Sequence, residues 1–363
     1  MRIKYRDSHC YYTAKSYDSE KNVYEITADD GSTIQYYPKL RLDNEYDPKQ
    51  CQFHLLSNSS PTCSENSIYQ VLVGKQRIGW IFPFQALLSN EHDYVSNPYF
   101  LKYAYVATEL LLQEIEQVDK QTEPSEFLLD DYYNCECNLL VLDTANTAKI
   151  NGFNLKDYLV GLYKYGYSFS PKGNALADLT TGERRTTITL KPVSKELSGI
   201  STINDWFEKQ LPFATDEVMQ FHLTYQLIEL LIEVIFEYKF NSLIAEITAN
   251  PKKLSDHKDS LSSISNEKTR VKDLFERYAP HTETSYKTDL DTACKNLLLA
   301  AGRAVSKQYY NNLYSVRCLV VHGLYSLPKE MFGMLNEINK PFLNIMMDVQ
   351  THIIILSVEN VEQ

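Results

Sequence analysis

The sequence predicts an α+β protein, a β-rich and mixed N-terminal region followed by an all-α C-terminal helical bundle. Three observations carry this. The first ninety or so residues alternate apolar and polar side chains and are broken by turn chemistry. From about residue 215 onward, long stretches place apolar residues at helical spacing. A chain of 363 residues with 44% hydrophobic and 23% charged residues also has the composition of an ordinary globular protein of two or three domains.

Residues 1–95 read as a β-rich domain. NVYEITADDGSTIQYYP sets an Asp29-Asp30-Gly31 turn between two period-two runs, and IYQVLVGKQRIGWIF reads as a hairpin around Gly74-Lys75. Many of the 27 tyrosines fall here, and an amphipathic ring suits a half-buried strand. Base stacking is the alternative use of such rings.

Residues 96–210 read as a mixed α/β middle region, continuous with the first domain or separate from it. NPYFLKYAYVATELLLQEIEQVD is a helix with a proline near its start, ended by the linker DKQTEPSE. CECNLLVLD is a strand, NLKDYLVGLYKYG a short helix and RRTTITLKPVS another strand, with Arg184-Arg185 on a locally basic edge.

Residues 215–360 read as the bundle. FHLTYQLIELLIEVIFEYKFNSLIAEI is one long helix, on which Glu229, Glu233 and Glu237 share a flank. A polar stretch, PKKLSDHKDSLSSISNEK, separates it from a helix over TRVKDLFERYA. TDLDTACKNLLLAAGRAVSKQYYNNLYSVRCLVVHG and KEMFGMLNEINKPFLNIMMDVQTHIIILSV complete four or five helices, enough to bury a shared core. His222 and His352 lie in apolar helical surroundings and read as core or interface residues. His257 and His281 read as sitting in polar connections.

The formal net charge of -11 argues against non-specific coating of nucleic acid, which depends on neutralising phosphates with Lys and Arg. It leaves room for a nuclease that gathers a few cations in one cleft. Lys and Arg outnumber acids modestly between Pro251 and Lys307. The seven cysteines are an odd number without a repeated framework, which fits a reducing cytoplasm. His9-Cys10 with Cys51-x2-His54 would supply four zinc ligands, but adjacent residues point to opposite sides of a strand. The N-terminus lacks a signal-peptide core and no apolar run is long enough for a membrane helix, so a soluble protein with no membrane partner is expected.

NNLYSVRCLVVHGLYSLP puts Arg317 and His322 inside an otherwise apolar segment, where an unpaired guanidinium is costly to bury. Five residues on a helix turn one side chain about 140° from the other, and the flexible arginine stem is expected to swing its head back towards the histidine. Gly323 and Pro328 predict a helix stop near His322, among unsatisfied carbonyls that favour a protonated ring. Histidine beside a guanidinium suits phosphodiester cleavage in RNA. Imidazole moves the protons, the guanidinium meets the phosphoryl charge, and no metal or other cofactor is required.

LYSVRCLVVHG, late in a helical region that opens with FHLTYQLIELLIEV, resembles the HEPN family. Its members carry an Arg-x4–6-His motif, often with a tyrosine before the arginine and a glycine after the histidine. Tyr314, Arg317, His322 and Gly323 match it here. In active members the residue after the arginine is usually polar, commonly asparagine, and this chain has Cys318. Active members also often hold an acidic or polar residue near the site on the first long helix, for which Glu229 is the candidate and Glu233 the second.

The resemblance implies a bundle over residues 215–360 that forms a homodimer and acts as an endoribonuclease on RNA. It further implies a toxin or abortive-infection effector against phage, with a phage-derived trigger or an antitoxin as partner. Arg317 would hold the phosphate, His322 would act as acid and base, and the N-terminal region would sense or restrain. The alternative is a non-catalytic HEPN-like binding or scaffold protein that uses the same dimer seam. A third reading is a purely structural bundle, in which Arg317 and His322 face separate environments.

Overall fold

A computed structural model of the chain describes residues 12–28, 33–42, 46–58, 64–114, 128–131, 133, 136–169, 186–249, 254–323 and 327–353. The α+β class holds, with strands concentrated early and helices late. The chain divides into two compact units that do not follow one another simply along the sequence. The first takes the described residues up to Asn154 together with 167–169 and 186–190, and the second takes 155–166 and 191–353. The middle region of residues 96–210 is therefore shared between them.

In the first unit, β1 (Tyr12–Asp18), β2 (Val23–Ala28) and β3 (Thr33–Tyr36) form an antiparallel meander. Asn22 takes a φ of 53° between β1 and β2, a conformation that asparagine tolerates better than most residues. Its amide donates to the Pro38 and Leu40 carbonyls, each at 3.0 Å, and accepts from the Leu42 N–H. The Asp29-Asp30-Gly31 turn lies outside the described residues, although β2 and β3 on either side of it do pair.

A second sheet contains β4 (Cys51–Asn58), β5 (Tyr69–Val73), β6 (Gln76–Pro83), β7 (Asn138–Asp143), β8 (Tyr167–Ser168) and β9 (Thr187–Leu190), in the order β8-β4-β7-β6-β5-β9. Only the β5–β9 pair is parallel. Val73 opposes Gln76, which leaves Gly74-Lys75 as the expected two-residue turn, with Gly74 at φ 58°. All six residues of β7 are buried, so the strand reads as a continuous run rather than an alternation. Where β6 crosses β7, a Cβ on Gly79 would meet the Val141 carbonyl oxygen and the backbone of Leu142, so only glycine fits without movement.

Short helices α1 (Gln85–Leu88) and α3 (Thr144–Thr147) flank β6 and β7, and α2 (Pro98–Glu114) packs on the sheet. Asn97 starts α2 by accepting from the Tyr99 and Phe100 N–H groups, with Pro98 as its first residue. Phe100, Ala104, Ala107 and Leu111 form its fully buried stripe. The linker DKQTEPSE and the pair Arg184-Arg185 lie outside the described residues.

The second unit contains α4 (Leu159–Lys164), α5 (Ser201–Asp205), α6 (Glu217–Ala249), α7 (Leu254–Ser265), α8 (Glu267–Asp273), α9 (Thr284–Ala300), α10 (Tyr309–Gly323) and α11 (Gly333–His352). Its centre is α11, buried at every residue from Pro341 to Gln350 and packed on α4, α6 and α9. Asp348, on this buried stretch, is met by Lys164 at 2.5 Å. The pair ties α4 to the bundle, because the buried Asp348 would be left without a counter-charge if Lys164, a third exposed, were removed.

Two expectations need correction. The polar stretch after α6 is largely helix α7, and His257 on it is buried rather than in a connection. Its Ser and Asp content hid a helix that carries His257, Leu261 and Ile264 at alternating four- and three-residue steps. The segment from Thr288 to Gly323 is two helices, broken after Ala300, for a reason that bears on the site. Among the described residues, no helix is long and apolar enough to cross a membrane.

Candidate functional site

The break after α9 is a Schellman turn. Gly302, at φ 66°, donates to the Leu299 carbonyl at 3.0 Å, and Arg303 donates to the Leu298 carbonyl at 2.8 Å. Buried Asn312 then fixes the connection. Its Oδ1 accepts from the Ser306 N–H at 2.7 Å, and its Nδ2 donates to the Ser306 carbonyl at 3.1 Å and to Asp291 at 2.7 Å. Helix α10 runs from Tyr309 to Gly323 and carries every motif residue, and the expected stop beyond Gly323 falls on residues outside those described.

Helix α10 packs on α9 and α8, and the Arg317 side chain reaches from it to α6. An Arg317 Nη donates to Glu229 Oε1 at 3.3 Å, and the guanidinium carbon lies 5.5 Å from the centre of the Tyr225 ring. Burial lowers the affinity of Arg317 for its proton. The Glu229 bond and the charge of Glu267 outweigh that and hold its pKa above the ordinary value. One turn along α6, Glu233 accepts from Arg270 at 2.9 Å. The expected acidic flank of α6 thus receives an arginine from α10 and another from α8.

Another face of α10 lines a cleft. Tyr314, Ser315, Cys318, Leu319, His322 and Gly323 line one side of a cleft of about 530 Å³, and Lys268, Leu298, Arg303 and Ala304 line the rest. Tyr314, Cys318 and His322 follow one another at four-residue steps, which is why they share this wall. His322 is exposed. Tyr314 stands nearest to linking the two faces. It lines the cleft, and its hydroxyl is pushed up by burial and by the charges of Glu267 and Cys318 against the pull of Arg317.

The structure therefore brings Glu229 to Arg317, and Tyr314 and Cys318 to His322. Within one chain it does not bring Arg317 to His322: the arginine head turns to Glu229 instead of swinging towards the histidine, so the two side chains face separate environments, as the purely structural reading expects. Sequence reasoning missed Lys268 and Arg303 as residues of the His322 wall. The modest Lys and Arg excess across 251–307 was the only signal, together with Gly302 as a stop after an apolar helical run.

The described half of the zinc combination, Cys51 and His54, does not converge on one point. Cys51 and His54 are three residues apart on β4 and so lie on opposite faces, Cys51 against the sheet core and His54 against Phe169. Burial pushes the Cys51 thiol up to about 11 and lowers the His54 pKa, so Cys51 is a poor thiolate donor. His9 and Cys10 lie outside the described residues. Among the described residues, no group of three or more His, Cys, Asp or Glu could hold a metal ion.

Of the remaining histidines, His222 is half-buried on α6 and His281 is exposed. His352, half-buried in the last turn of α11, has Nε2 3.1 Å from Lys191 Nζ and Nδ1 2.8 Å from the Asp348 carbonyl. No known family, curated protein or solved structure matches this chain.

Proposed function

We propose that the chain is a metal-independent endoribonuclease of HEPN type that works as a homodimer. The ribose 2′-oxygen bonds to phosphorus as the P–O5′ bond breaks, leaving a 2′,3′-cyclic phosphate and a 5′-hydroxyl. One proton leaves the 2′-hydroxyl and one reaches O5′, and His322 is the group suited to both transfers. Arg317, oriented by Glu229, answers charge on the non-bridging oxygens. Each chain carries one His322, and its Arg317 faces the other side of α10. Twofold pairing would supply two histidines and would let the arginine of one protomer serve the histidine of the other.

The observation that carries the reading is the cleft beside His322, which adds Tyr314, Lys268 and Arg303 to an exposed imidazole and has no carboxylate in its wall. On this reading the protein acts in the cytoplasm as a toxin or abortive-infection effector. Its sheet unit would answer to a phage-derived trigger or an antitoxin. The test is expression of the intact protein and of His322→Ala in a bacterial host, then incubation of both purified proteins with total RNA in EDTA. Growth arrest and cut RNA from the intact protein alone are expected. Uncut RNA from both overturns the reading.

One observation favours a second reading. Arg317 is already engaged by Glu229 and by the Tyr225 ring, as a residue that ties α10 to α6 would be. A non-catalytic HEPN-like scaffold would use it so, and Cys318 in place of the usual polar residue fits that role. In that case His322→Ala alters assembly or binding and no RNA is cut by either form.

A further inference from the structure

The chain is acidic, with a formal net charge of -11, yet the His322 cleft carries two permanent cations and no acid. Two other clefts of the same unit differ. The one of about 760 Å³ between α9 and α11 has Asp289 and Glu337 in its wall beside Lys340. The one of about 510 Å³ has Lys239, Arg270 and Arg277, but Asp259 and Asp273 stand among them. There the cations are already answered, since Lys239 and Arg277 both meet Asp273 and Arg270 meets Glu233. Lys268 and Arg303 are exposed, and neither enters an ion pair among the described residues.

Arg303 is also held in place by its backbone. It is the residue whose N–H closes the Schellman turn on Leu298, and the chain after it is fixed by Asn312. Its side chain is therefore launched from a fixed point at the rim of the cleft. Arg317 could reach this cleft only by leaving Glu229 and Tyr225, whereas Arg303 has no such contacts to give up. Unanswered cations on a concave, acid-free wall attract a polyanion.

We propose that Arg303, with Lys268 from α8, holds backbone phosphates of single-stranded RNA that flank the scissile one. Arg303 rather than Arg317 is then the guanidinium serving the cleft of its own chain. The proposal rests on the RNA reading above, and its test separates the two. The intact protein and its Arg303→Ala, Arg303→Lys and Arg277→Ala forms are titrated with a fluorescent, fully 2′-O-methylated oligonucleotide, which lacks the attacking hydroxyl, at several salt concentrations.

Arg303→Ala is expected to weaken binding about tenfold and to lower the slope of log affinity against log salt by about 0.7, the loss of one phosphate contact to a single strand. Arg303→Lys keeps the slope, and Arg277→Ala changes neither quantity. Wild-type affinity and slope in Arg303→Ala overturn the proposal, as does an intact protein that does not bind the oligonucleotide. Cleavage of unmodified RNA is scored separately. Binding through Arg303 without cleavage removes the ribonuclease reading and leaves this one. Cleavage and binding that are indifferent to Arg303 remove this one and leave the ribonuclease.

Discussion

The two faces of α10 differ in what their polar groups already touch. On the α6 side Arg317 has a carboxylate at 3.3 Å and an aromatic ring beneath it, so its charge is partly answered inside the fold while its buried Nε has no hydrogen-bond partner among the described residues. On the cleft side His322 is exposed, and Arg303 and Lys268 share its wall without a carboxylate. One face can contribute to stability with no ligand present. The other has an arrangement that a ligand would complete. Residue type alone does not separate these cases, and four or five positions along one helix are enough to move between them.

Substitutions can break that comparison. The largest effect is expected for His322→Ala, which should reduce RNA cleavage at least about a hundredfold, the scale of a lost general acid or base. Its thermal midpoint should stay where it is, because the side chain is exposed. A fall of several degrees would instead make the cleft face structural.

Asn312→Ala should come next, read by chemical denaturation. It removes three hydrogen bonds to the connection and to Asp291 from a buried position, a cost of about 2–3 kcal/mol. Binding of the methylated oligonucleotide should weaken with it, since the launch point of Arg303 is loosened.

Arg317→Ala should cost about 1 kcal/mol, a modest value because its partner Glu229 is 46% exposed. Arg303→Ala should cost nothing measurable in the same melt, and the reverse order would exchange the roles of the two faces. Gly302→Ala sharpens the same point at the smallest scale. A Cβ there meets no atom within 4 Å, so any loss, about 1 kcal/mol, reports the φ of 66° alone. An unchanged denaturation midpoint would show that the turn does not depend on glycine.

How much of this could be read from the sequence depended on how local the cause was. The Gly74-Lys75 hairpin and the start of α2 at Asn97-Pro98 were legible because the turn and cap residues act on their immediate neighbours. Glu229 was named as a partner for the motif by the HEPN resemblance, while the four-residue period only set it on one flank with Glu233 and Glu237, and Arg317 is 88 residues away. The α9–α10 break was not, because apolar periodicity continues on both sides of Gly302 and the decisive contact comes from Asn312. Arg303 became visible as part of the site only once that break placed it at the cleft. Helix α7 was missed because Ser, Asp and His weaken the apolar signal that marked its neighbours.

The interleaving of the two units has a consequence for the order in which the protein is made. Helix α4 leaves the ribosome early, but Asp348, which answers Lys164, follows 184 residues later. The sheet cannot gain its parallel edge strand β9 until residues up to Leu190 are out, after α4 has already emerged. Contacts so distant along the chain must close large loops before they bring any gain, which slows folding. A piece cut at residue 215 would lack α4 and leave Asp348 without Lys164, so the helical unit is not one contiguous stretch of the chain.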